Sequence, residues 1–241
     1  MSSYNTLAQF YDFLTENVDY KVRSEYISNF FSEYGNGGKN VLDLACGTGT
    51  ISKLLCDRGY KVKGMDISDE MLIVAQEKSQ NNVAFFKGDI SDFSLPDKFD
   101  YCICLLDSLN HLENIDAVKS CFECVYHSLN ENGLFIFDVN TVYKHRYVLG
   151  DNTFVFDEED FFLSWDNEYC DENRVRILLD FFVFNGKNYD RFSEEFYEKA
   201  YELSELKSIL NGFEILAVYD ELTTDSPSED SQRVYFICKK I

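Results

Sequence analysis

Apolar residues fall in two alternating patterns through the first part of this chain: short, nearly unbroken runs, and longer stretches with helical spacing. The short runs lie near 40–44, 61–65, 83–87, 99–105 and 133–138, and they read as strands buried on both faces. Helical spacing is predicted over 50–58, 69–79 and 114–129, and over 6–15 and 22–34 ahead of the first strand, with Gly35-Asn36-Gly37-Gly38 as the break. Strand and helix in alternation mean a parallel sheet covered by helices. After Asn140 the alternation stops. Strand-like runs over 161–169, 174–184 and 189–197 follow one another with only turn signals between them, and Asn185-Gly186 marks a hairpin. A helix over 203–210 and strands over 213–219 and 233–238 complete the chain. Residues 1–140 and 201–241 are thus expected to form one α/β domain, with 141–200 inserted as an antiparallel β region.

The first strand run ends in Val41-Leu42-Asp43-Leu44-Ala45-Cys46-Gly47-Thr48-Gly49-Thr50, an acid and a glycine turn opening into a helix-like segment. Without a Cβ, Gly47 and Gly49 let a ligand approach the backbone, and the helix start offers free N–H groups. Asp66 ends the second run, roughly 20 residues further on, where a carboxylate accepts from both hydroxyls of a ribose. Gly47-x-Gly49 also begins the dinucleotide pattern, so a nicotinamide-dependent oxidoreductase is one reading; Ser52, however, stands where that pattern has its third glycine. Asp43, four residues before Gly47, suits a ligand bearing an amino group and a sulfonium better than a pyrophosphate.

Asp43-x-x-x-Gly47-x-Gly49 resembles motif I of the class I S-adenosylmethionine-dependent methyltransferases of small-molecule type, and further matches follow in that family's order over about residues 38–140. The resemblance implies a Rossmann-like α/β fold: a seven-stranded, mostly parallel sheet with helices on both faces, an antiparallel hairpin at its C-terminal edge and the inserted antiparallel β meander. It implies methyl transfer from S-adenosylmethionine to a small-molecule acceptor by in-line displacement. The cofactor contacts it implies are Asp43, Ala45, Gly47, Thr48 and Gly49 in the turn, with Asp66 on the ribose beside Ile67 and Met71 packed on the adenine. Gly88, Asp89 and Ile90 end the third strand, Asp89 accepting from the adenine amine and Ile90 flanking the ring. Leu105 and Ser108 follow the fourth strand, and Tyr4 and Tyr11 lie on an N-terminal helix that closes over the methionyl end. A cofactor-binding protein without turnover carries the same motifs, so it stands as a further alternative.

Methyl transfer from a sulfonium depends chiefly on alignment, and a general base enters only where the acceptor must lose a proton early. His111, just beyond the fourth strand, is the candidate, since substrate loops of open α/β sheets lie there. Within 151–200 stand 14 acids, 5 bases and 13 aromatics, including Trp165, the candidate substrate contact. Aromatic faces and carboxylates favour a cationic acceptor, but the simpler reading has the aromatics forming the buried face of the sheet and the acids solvating the other.

The formal charge of −21, from 43 acidic and 22 basic residues, argues against a general nucleic-acid binder. No apolar run approaches a membrane span, and the N-terminus lacks a signal-peptide layout, so a cytoplasmic protein is expected. Cys121-x-x-Cys124 falls inside a helix with no second pair, and no metal is expected.

Overall fold

Elements alternate as expected in the computed structural model, which describes Ala8, Tyr11, Asp12, Leu14, Thr15 and residues 18–80 and 82–241. In chain order they are α1 (Tyr20–Tyr34), β1 (Asn40–Leu44), α2 (Thr50–Asp57), β2 (Lys61–Asp66), α3 (Asp69–Ser79), β3 (Ala84–Lys87), β4 (Phe99–Cys104), α4 (Ile115–Ser128) and β5 (Leu129–Asn140). There follow β6 (Thr153–Asp157), β7 (Phe161–Cys170), β8 (Arg174–Phe184), β9 (Tyr189–Lys199), α5 (Leu203–Ile209), β10 (Phe213–Asp220) and β11 (Arg233–Lys240). Side-chain caps set the helix starts: Asp19 accepts from the Val22 amide, which begins α1 two residues earlier than the apolar spacing does, and Ser68 and Asn114 cap α3 and α4.

The seven-stranded sheet runs β3-β2-β1-β4-β5-β11-β10, with β1 to β5 parallel and β11 antiparallel to both of its neighbours. Alternate residues feed two cores. Leu42, Cys102, Phe135, Phe137 and Phe236 pack under α4 and α5, whereas Val41, Tyr101, Ile136 and Tyr235 pack under α1 and α2. The meander is a separate sheet, β6-β7-β8-β9, with its own cluster of Leu163, Ile177, Leu179 and Phe181, against which Leu14 also packs. It has four strands where the sequence shows three. The additional strand, β6, is a short, mostly exposed edge, so its residues lack the burial pattern that marks its neighbours.

Two polar devices join these parts. Beyond β4, Leu106 and Asp107 both adopt left-handed conformations (φ 55° and 54°), and their amides donate to the two oxygens of Asp138, each at 2.8 Å. Asp138 is fully buried and is paired with Arg233, which also reaches Asp107 at 2.6 Å. The second device is Asn110, which donates to the carbonyls of Asn140 and Lys199 and accepts from the Asn140 amide, so it holds both ends of the insertion. Truncating Asp138 leaves a buried guanidinium short of a partner and two amides unpaired. Asp138→Ala is therefore expected to cost about 3–5 kcal/mol in urea denaturation, and a loss under about 1 kcal/mol would show that the loop is held by other contacts.

Candidate active site

The glycine turn sits where β1 passes into α2, at the carboxyl end of the parallel strands, where open α/β sheets bind ligands. Gly47 and Gly49 both take left-handed backbone (φ 54° and 72°). They differ in surroundings: a Cβ on Gly49 would lie 2.7 Å from the Phe85 ring and 2.9 Å from Ala75, while one on Gly47 meets only Tyr11, at 3.9 Å. Gly49 is thus demanded by packing, and Gly47 presents bare backbone to the cleft. Ala45, also left-handed, Cys46, Thr48, Leu105 and Ser108 line the same cleft with Tyr11, Tyr20 and Asp43.

Asp43 and Asp66 are both buried there. Ser52 donates to Asp43 at 2.5 Å, which explains why a hydroxyl stands at the position of the third glycine. Burial drives the Asp43 carboxyl up to about 7, against the pull of the Ser52 hydroxyl. Asp66 is also raised by burial, opposed by the amides of Ser68 (2.9 Å) and Gly47 (2.8 Å), which fall on different oxygens. A carboxylate accepts about four hydrogen bonds, so Asp66 fixes the turn and keeps acceptor capacity for two hydroxyls.

The third group stands outward of Asp66. Ile67 is 64% exposed and Met71 half-buried, with Asp89 exposed; Ile90 is buried. Asp89 spends one oxygen on the Ser91 amide and hydroxyl. Gly88 packs on Met65 and donates to the Asp66 carbonyl. At the opposite end, Asp12 accepts from Thr48 (2.6 Å) and pairs with Lys78 (2.5 Å), tying the Tyr11 segment to the turn. Tyr4 lies outside the described residues. The bare Gly47 backbone, the spare capacity of Asp66 and the uncovered Ile67 fit a nucleoside with a cationic tail.

On the far side of the cleft, His111 ends a short 3-10 turn (Ser108–His111), its ring 5.4 Å from Phe196 of β9 and its Nε2 3.9 Å from Oε1 of Glu198. Burial pushes the Asp107 carboxyl up, but Arg233, then Lys144 and His111, outweigh it and hold it down to about 2. Burial and then Arg233 lower Lys144, which donates to Asn140 Oδ1 at 2.9 Å. His145 is fully buried behind Glu198. Trp165 donates from Nε1 to Asn167 and packs its ring with Phe154 and the meander cluster, while Phe196 and Glu198 are meander side chains that meet His111. A larger hollow of about 390 Å³, between residues 91–98 and α4, is remote from the turn and lined by Lys98, Glu123 and His127.

Arg233, Asp138, Glu198 and His145 escaped the sequence reading. For Glu198 a signal existed, since it continues the alternation Phe192-x-Glu194-x-Phe196-x-Glu198 in phase with the apolar positions. The others are joined only by the fold.

Residues 41–133 match the family model described as a methyltransferase domain. The provisionally named methyltransferase YqeM of Bacillus subtilis (strain 168) is 33% identical over 98% of this chain and 97% of its own. A crystal structure of an S-adenosylmethionine-dependent methyltransferase from Clostridium acetobutylicum ATCC 824 is 34% identical, superposes with a TM-score of 0.89 and is covered over 99% of both chains. The chain belongs to the S-adenosylmethionine-dependent methyltransferases. It is therefore an enzyme with S-adenosylmethionine as its cofactor, and the nicotinamide and non-catalytic alternatives fall away. A glycine/sarcosine N-methyltransferase of Aphanothece halophytica is 28% identical over 69% of this chain and 65% of its own. Among the described residues no helix is long and apolar enough to cross a membrane.

The Asp43 shift has a definite sign. The folded methyltransferase keeps the Asp43 proton up to about pH 7, whereas the unfolded chain releases it near the ordinary value of 3.8, so this group's contribution to stability falls as pH rises between them. Asp43→Asn has no proton to lose: its advantage over the parent is expected to be absent at pH 4 and to reach up to about 4 kcal/mol at pH 8. Ligand-free denaturation at the two pH values measures the difference, and a pH-independent one would place the proton elsewhere.

Proposed function

We propose that the acceptor is a small molecule, bound between the loop after β4 and the meander, with residues 141–200 selecting it and the glycine-turn side holding the cofactor. The observation that carries this reading is the meeting of His111 with Phe196 and Glu198, the point at which the loop beside the cofactor cleft touches the insertion. The glycine/sarcosine relative, which by its name acts on small molecules, supports the same reading. The acidic balance of the chain, −21, supports it further by disfavouring a phosphate backbone as the acceptor.

In this reading Asp66 receives the ribose hydroxyls, Met71 and Ile67 pack on the adenine with Ile90 behind, and Asp89 takes the adenine amine on its free side. Asp43 and the Gly47 backbone face the methionyl end, which Tyr11 covers. When bound, the cofactor supplies an activated methyl on sulfur. The residues supply alignment and exclude water, and His111 takes the acceptor's proton. Its side chain is 49% exposed, so the proton has a path to solvent.

Titration calorimetry with S-adenosylmethionine, followed by an acceptor screen read through S-adenosylhomocysteine release, tests the assignment. Asp66→Ala is expected to weaken cofactor binding by about 1.5–3 kcal/mol; unchanged affinity would remove Asp66 from the ribose. Asp89→Ala is expected to weaken the same binding while leaving the ligand-free melting temperature nearly unmoved, because the side chain is exposed. His111→Asn is expected to lower kcat by about 100-fold with cofactor affinity within about threefold, and full turnover in that variant would assign the proton to another group.

A further inference from the structure

The inward face of β9 carries Phe192, Glu194, Phe196 and Glu198, set opposite Phe181, Leu179, Ile177 and Val175 of β8. Glu194 and Glu198 are 9% and 6% exposed, so these two acids of the insertion do not solvate its outer face as the simpler sequence reading has it. A carboxylate on an apolar face is costly unless a cation meets it. Among the described residues no lysine or arginine pairs with Glu198. Its Oε2 accepts from the Asn140 side-chain Nδ2 at 3.5 Å and lies 3.4 Å from His145 Nε2, while Oε1 faces His111 at 3.9 Å. His145 is 0% exposed, spends Nδ1 on the Asn173 carbonyl, and its Nε2 has no hydrogen-bond partner among the described residues. Asp107, whose carboxylate lies within 4.8 Å of the same His111–Glu198 pair, is matched by Arg233. With Asp107 taken by Arg233, a divalent metal ion would find one free carboxylate here rather than two. Among the described residues Glu198 is thus the carboxylate of this junction with no lysine or arginine partner, and it meets His111 together with the Phe196 ring.

We infer that the acceptor is an amine, bound in its ammonium form by Glu198 Oε1 and the face of Phe196; this rests on the small-molecule reading above. An ammonium completes a buried carboxylate and is attracted by an aromatic face, whereas a hydroxyl does neither with comparable strength. The bound ammonium gives one proton to His111, which passes it to solvent. The freed nitrogen lone pair then forms the N–C bond as the C–S bond breaks, the electron pair of that bond remaining on sulfur. Positive charge thereby moves from sulfur to nitrogen, and the methylated ammonium stays paired with Glu198.

The test uses the full-length protein with a panel of primary and secondary amines, including amino sugars, beside their hydroxyl counterparts, read by S-adenosylhomocysteine release. Amines are expected to turn over and their hydroxyl counterparts not. Glu198→Gln, which keeps the shape, is expected to raise the KM of the amine at least about 10-fold, with S-adenosylmethionine affinity within about threefold of the parent. Phe196→Leu is expected to raise the same KM about threefold, and it decides the matter if Glu198→Gln fails to fold. Failure of every amine, or an unchanged amine KM in the folded variants, overturns the inference. Turnover of hydroxyl compounds alone overturns it while leaving the small-molecule reading in place; methyl transfer only to protein or RNA removes both.

Discussion

The Asp138 carboxylate is the constraint on which the reactive side of the cleft depends. It is fully buried, and both of its oxygens are committed to the amides of Leu106 and Asp107, two consecutive residues in a conformation that side chains other than glycine adopt at a cost of about 1–3 kcal/mol each. Such a bend survives only where its surroundings over-determine it. Arg233 from β11 does so by clamping Asp138 and Asp107 together, and Glu221 links Arg233 to Arg23 of α1. A strand-edge residue and a helix before the first strand thus set the direction in which the loop leaves β4, and with it the position of His111.

The two sides of the cleft use acids in opposite ways. Around Asp107 and Asp138 both carboxylates share the guanidinium of Arg233, which holds Asp107 ionised well below the usual range. Around the glycine turn Asp43 and Asp66 have hydroxyl and amide partners and, among the described residues, no ion pair with a lysine or arginine, and burial raises both. A cationic ligand would reverse that penalty, and S-adenosylmethionine, placed here by the proposed function, is such a ligand.

The fold was legible because its signals are local and periodic. Apolar runs with Gly and Asn breaks located every strand of the seven-stranded sheet, and Asp43, Gly47 and Asp66, picked out from strand ends alone, come together at one cleft. The strand β6 was missed because an exposed edge has no burial alternation to display. Asp138 and Arg233 are 95 residues apart, and His111 and Glu198 come together only through the meander, so no spacing rule connects them. The aromatic and acidic excess of 151–200 was visible as composition; which acids turn inward depends on the phase of β9, and Glu198 reads as surface charge until that phase is fixed.

Asn110 has a consequence for how such a protein diversifies. Because one buried amide binds the carbonyl that precedes the insertion and the carbonyl that ends it, the chain leaves the sheet and returns to it at nearly the same point. Anything spliced between those two carbonyls is tied to the sheet at this clasp, and further contacts with the scaffold, such as Leu14 on the meander cluster and His111 on Phe196 and Glu198, are made by side chains. Recombination between relatives at Asn140 and Lys199 would therefore exchange the four-stranded meander as a cassette and leave the seven-stranded sheet intact.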